Sequence, residues 1–203
     1  MTFPFKMPNR KEPTSVKVSY TEPNVLGILT EQLKQLLSGV RPGQELVVVC
    51  VGTDRSTGDS LGPLVGTNLS RSEGKPFSVY GTLEDPVHAM NLNEILQVIQ
   101  DRYNNPFVIA VDACLGQLAS VGCIQLGHGP VKPGAGVNKE LPPVGNIHIT
   151  GIVNVGGFME YFVLQNTRLS LVMKMADIIS RTIEVTLHRA HRGYSAKPYV
   201  SLD

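Results

Sequence analysis
Residues 46–63 read LVVVCVGTDRSTGDSLGP. The opening run, Leu46 to Val51, is apolar and mostly β-branched. It is too short for a helix and too uniformly apolar for a half-exposed strand. It predicts a strand covered on both faces, the usual condition of a parallel sheet. A Gly/Thr/Ser/Asp loop follows, and then Asp59, Ser60, Leu61, Gly62 and Pro63 mark a helix start. Asp or Ser can cap the orphan N–H groups of a first turn, and Pro is tolerated there. In an open α/β sheet the ligand crevice lies at the carboxyl ends of the strands. Asp54 and Asp59 fall in that position.

The flanking chain repeats the pattern. Leu26, Leu29, Leu33, Leu36 and Leu37 recur at helical spacing ahead of the central strand. Residues 77–81 alternate as a second strand, and their loop leads to a helix with Leu92, Ile95, Leu96 and Ile99 on one face. Residues 107–112 form a third apolar strand that is predicted to terminate in Asp112. This β-α-β-α-β order predicts right-handed crossovers and a mostly parallel sheet with helices on both sides. Residues 121–126 and 146–149 read as further strands, separated by a long Gly/Pro-rich loop. A last helix, from about residue 168 to 191, carries Leu171, Met175, Ile178, Ile179 and Ile183 as its stripe. That stripe serves either the core or a homo-oligomer.

Residues 1–20 read as a flexible arm, with an edge strand at 16–20 left open, and residues 21–203 as a single α/β domain. The N-terminus has no apolar h-region, and no apolar run approaches a membrane span. The expected location is cytoplasmic, with no membrane partner. Lys plus Arg number 18 against 17 for Asp plus Glu, so bulk charge gives no reason to expect nucleic acid. Three Cys cannot all pair and show no CxxC spacing, which fits buried free thiols in a reducing compartment.

Asp59 with Asp112 is the strongest chemical constellation. Each follows an apolar strand, on the same rim if the strands are parallel. Neighbouring carboxylates cannot both ionise comfortably, so one holds a proton near neutral pH while the other activates water. The competing reading makes Asp59 a helix cap and Asp112 a solvated strand end. The same pair can also seat a divalent metal. His148 is open to three readings: metal ligand, general acid/base or hydrogen-bonded core residue. His88 opens the helix after the second strand and can face the crevice. The glycines of residues 52–58 and 134–136 match neither a phosphate loop nor a dinucleotide fingerprint, and no GxSxG elbow is present.

Gly52-Thr53, Thr57 and Gly58-Asp59-Ser60-Leu61-Gly62 resemble a G-N-x-x-x-T-x-D/E-x-x-G segment shared by two peptidase families. These are the hydrogenase maturation endopeptidases (HybD-like) and the spore germination protease that degrades small acid-soluble spore proteins. Val108-Ile109-Ala110-Val111-Asp112-Ala113 resembles their second motif, a strand ending in Asp-Ala. The loop at 133–140 resembles a glycine loop of the spore protease. His148 sits where the hydrogenase proteases carry a metal-binding His. With the His88 region and the carboxy-terminal RGYSAKPYV, the chain most resembles the sporulation protein YyaC family of spore-forming bacteria.

The resemblance implies a phosphorylase/hydrolase-like three-layer α/β/α fold. It implies a peptidase acting on a protein or peptide during sporulation or germination, in the mother cell, forespore or spore core. Asp59 and Asp112 are then the catalytic pair, with Gly52, Thr53, Asp54, Thr57, His88 and His148 lining the crevice. No firm cofactor is implied, the alternative being one divalent metal on Asp59, Asp112 and His148, as in a metal-dependent maturation endopeptidase. Thr53 departs from the Asn of both families, which leaves a catalytically silent scaffold as the rival from outside the enzyme class.

Overall fold
The computed structural model describes residues 15–134 and 141–195. The arm residues 1–14, most of the glycine loop resemblance at 135–140 and the carboxy-terminal 196–203 lie outside the described residues. In chain order the elements are β1 (Val16–Ser19), α1 (Val25–Leu36), β2 (Leu46–Cys50), α2 (Leu61–Ser70), β3 (Ser78–Tyr80) and α3 (Leu92–Arg102). They continue with β4 (Phe107–Gly116), β5 (Cys123–His128), β6 (Ile147–Val155), α4 (Glu160–Gln165) and α5 (Leu169–Ser195).

One six-stranded sheet has the order β1-β5-β6-β4-β2-β3. Strands β6, β4, β2 and β3 are mutually parallel, and β5 runs against both β1 and β6. The alternating β2-α2-β3-α3-β4 stretch forces this arrangement, because parallel neighbours need crossover helices. The short antiparallel β5 needs none. Val16–Ser19, where the sequence leaves an edge strand open, is an edge strand paired with β5.

Alternation along the strands divides the core between the two faces. Val48, Cys50, Ile109 and Val111 pack with α1, α2 and α5, while Val47, Val49 and Ala110 pack with α3 and with Val144. The stripe of α5 is Val172, Met175, Ile179, Ile183 and Leu187, all fully buried. That apolar face is spent on the core, and Leu171 and Ile178 flank it half-buried. Because α2 and α3 cover opposite faces, the chain reverses its winding between β2 and β4. Such a switch point leaves a crevice above the carboxyl ends of the two strands.

Candidate active site
The wall on the β2 side is built by close backbone contact. Val51 donates its N–H to the Val111 carbonyl at 2.7 Å, and Gly52 then turns away to donate to the Val87 carbonyl at 2.8 Å. Gly52 has φ +148°, and a Cβ there would strike the Asp59 carbonyl. A Cβ at Gly62 would strike the Val51 carbonyl. Only glycine at these two positions lets the start of α2 rest on the end of β2. The loop is tied further by Thr53 N–H to the Asp59 carbonyl at 3.2 Å and Gly58 N–H to the Leu164 carbonyl at 2.9 Å.

Helix α2 starts without a side-chain cap: Ser60 Oγ donates back to the Thr57 carbonyl at 2.7 Å. The expected capping role of Asp59 or Ser60 is therefore not taken up. Asp59 lines a cavity instead.

The opposite wall is β4. Its pairing with β2 stops at Cys50 and Val111, whereas its pairing with β6 continues to Gly116 and Val155. Asp112 thus does not terminate its strand, contrary to expectation. It stands on the step where β2 has left the sheet. Its Oδ1 accepts the Ala113 N–H at 2.9 Å. Asp59 and Asp112 line one cavity of about 350 Å³, with Arg55, Ser56, Lys132 and Glu160 around them.

Both carboxyls are perturbed upward. Burial raises Asp59 above the ordinary carboxylate range, and a hydroxyl contact from Ser56 partly offsets it. Ser56 Oγ is buried and has no partner of good hydrogen-bond geometry among the described residues. Asp112 keeps a little solvent-facing surface, but the protein packed round its carboxyl removes most of its hydration. Desolvation pushes it up to about 8, with the Ala113 N–H opposing and the Asp59 charge adding to the rise. At neutral pH Asp112 therefore carries a proton beside an acid that ionises more readily. Burial also raises the neighbouring Cys114 thiol, the Thr150 contact lowering it and the Asp112 charge raising it again.

Of the residues expected to line the crevice, Gly52, Thr53 and His88 do so. His88 precedes α3 rather than opening it, and its N–H donates to Asn91 Oδ1 at 2.8 Å. Asp54 lies in an adjoining shallow groove with Pro86 and Met90, because the loop turns outward after Thr53. Thr57 does not line the cavity, and its carbonyl is the acceptor for Ser60. His148 is also absent from the lining. It pairs with Ala110, two positions before Asp112, or about 7 Å down the sheet. There its Nδ1 bonds the Gly129 carbonyl at 3.0 Å, the hydrogen-bonded reading.

Among the described residues no three His, Cys, Asp or Glu side chains come together to hold a metal ion. The Asp59–Asp112–His148 ligand set is therefore not assembled, for the same reason of register. Sequence reasoning missed Ser56, Cys114, Lys132, Glu160 and Tyr161, all of which line the cavity. Ser56 lies within the first motif and Cys114 immediately follows the second, so both were within reach of them. Glu160 and Tyr161 arrive on a helix too short to show a periodic pattern.

This is the fold of a peptidase class. The structure is similar to a [NiFe] hydrogenase maturation protease, HycI from Thermococcus kodakarensis KOD1, with TM-score 0.52 and 18% identity. The match covers 77% of this chain and 98% of that one. The chain belongs to the family described as "Protein of unknown function (DUF1256)", matched over residues 17–182. It is 62% identical over 144 residues to the uncharacterized protein YyaC of Bacillus subtilis (strain 168), covering 71% of this chain and 70% of that relative. No helix among the described residues is long and apolar enough to cross a membrane.

Proposed function
We propose that the protein is a peptidase that hydrolyses a protein or peptide during sporulation or germination, with Asp59 and Asp112 as its catalytic pair. The observation that carries this reading is the convergence of the two acids on one cavity at the β2/β4 switch point. Asp59, the more readily ionised acid, takes a proton from the attacking water. Asp112, protonated at neutral pH, gives its proton to the leaving amine. The spore setting, a cytoplasmic site of action and a protein rather than nucleic-acid substrate rest on the family and on the balanced charge.

No step is routed through a metal, since the pair gains no third ligand of the expected kind among the described residues. Activity is accordingly expected to survive a chelator. Loss of activity on chelation, restored by a divalent ion, would return the metal-dependent reading.

The test is terminal labelling of soluble extracts from dormant and germinating spores treated with the purified protein. New peptide termini are expected with the wild type and none with Asp59→Asn or Asp112→Asn, both variants keeping the wild-type circular dichroism. Undiminished cleavage by both variants ends the mechanism. No new termini from the wild type leaves the silent scaffold as the better reading.

A further inference from the structure
Backbone groups in a strand point alternately to its two neighbours, so the partners of β4 reveal which residues face which side. Phe107 N–H donates to the Glu45 carbonyl and the Val111 carbonyl accepts from Val51, so odd-numbered residues face the β2 side. Val108 and Gly116 carbonyls accept from Asn146 and Gly156, so even-numbered residues face β6. β2 has left the sheet before Ala113. The Ala113 carbonyl and both backbone groups of Leu115 therefore point to a side with no strand among the described residues.

The Ala113 N–H is already taken by Oδ1 of the Asp112 carboxyl. No loop or side-chain hydrogen bond from the described residues reaches the other three groups. Ala113 and Leu115 both line the acid cavity. An unpaired strand edge is a template for another strand. Here the template starts one residue after Asp112.

The far end of this edge is apolar. Gly116 bonds Gly156, and the turn after it carries Phe158, 84% exposed, and then Tyr161 and Phe162, both mostly exposed. Tyr161 also lines the cavity. Exposed aromatic clusters of this kind mark interaction sites. Among the described residues the cavity's cations, Arg55 and Lys132, are matched by Asp59 and Glu160 once Asp112 is protonated. A lining so balanced suits an uncharged peptide backbone better than a free anion.

We propose that the substrate is an extended, locally unfolded segment of a protein that docks as an added strand on the free edge of β4, at Ala113 and Leu115, with an apolar side chain on Phe158 and Tyr161. This rests on the peptidase reading of the acid pair and names the substrate class of the same site. Main-chain bonds supply affinity and the aromatic end supplies selectivity, as in other strand-addition complexes. A segment held this way crosses Asp59 and Asp112 at the mouth of the edge. A folded substrate region cannot enter.

The probe is a pool of unstructured synthetic peptides of about nine residues, each with one Phe or Leu in a Gly/Ser/Thr background, long enough to overrun the edge at both ends. It is applied to the full-length Asp59→Asn protein, and amide exchange is read residue by residue by NMR. Retained peptides are expected to carry the apolar residue. They should slow exchange at Leu115 N–H by about tenfold, the effect of one gained hydrogen bond, while Cys114 N–H, which faces β6, changes little. Leu115→Pro removes the outward donor without touching the β6 ladder and is expected to weaken retention by about tenfold.

Unchanged exchange at Leu115, or no peptide retained at all, overturns the docking mode; the exchange readout does not depend on the proline variant folding. Peptides held at this edge but never cut by the wild type leave docking intact and sink the peptidase reading. Cleavage with no involvement of Leu115 does the reverse.

Discussion

The two walls of the cleft are built on different principles. The β2–α2 wall is backbone packed on backbone: the Asp59 carbonyl rests against Gly52 and the Val51 carbonyl against Gly62. The wall formed by the outer half of β4 and α4 is paired on one side only and carries exposed aromatics. On the proposed reading the rigid wall fixes an acid and the open wall receives a chain. These roles make different demands on stability, so substitutions on the two walls are expected to behave differently.

The sharpest break of that contrast is Gly62→Ala. The new Cβ meets the Val51 carbonyl, so strand or helix must shift, and we expect a loss of about 3–4 kcal/mol in denaturant unfolding. Wild-type stability in that variant would mean the wall is not rigid.

Asp112→Asn is next in size and opposite in sign. A carboxyl whose folded pKa lies above its unfolded value contributes stability below the unfolded value and loses it as pH rises to the folded value. For Asp112 that window runs from 3.8 to about 8. The Asn variant should match the wild type near pH 4 and exceed it by about 3 kcal/mol at pH 8, read from urea midpoints; this is roughly half the full conversion of the shift, because relaxation and water entry at the cavity reduce the cost of the charge. Activity of the wild type should fall as pH rises through about 8, where the proton donor is lost.

His148→Ala gives up one hydrogen bond to Gly129 and should cost about 1 kcal/mol while leaving turnover unchanged. A large loss of turnover would return His148 to the site. Smallest of all, Phe158→Ser on the open wall should stay within about 0.5 kcal/mol of wild-type stability and raise KM rather than lower kcat.

Much of the rigid wall was legible because it follows from local rules. An apolar run, a glycine-bearing polar loop and a proline near a helix start define a strand–loop–helix, and parallel strands bring Asp59 and Asp112 to one rim. The open wall was not legible. Residues 112–116, DACLG, lack the β-branched residues of the strand they continue, and their strand geometry comes from pairing with β6. α4 is a single short helix with no period to detect. His148 was misplaced for a different reason: a His beside Ile residues reveals a strand but not its register, and two residues of register carry it from the cavity to the Gly129 carbonyl. Asp54 and Thr57 depended on the path of a loop, which residue type alone does not set.

The central claim is that Asp59 and Asp112 form one electrostatically coupled centre. Carboxyl-carbon NMR titration of Asp112 in the wild type and in Asp59→Asn tests it most directly. Asp112 is expected to titrate at about 8 in the wild type and at a lower pH in the variant, still above the ordinary carboxylate range because burial remains the larger cause. Ordinary titration in the wild type, or a value that does not move when Asp59 loses its charge, would contradict it.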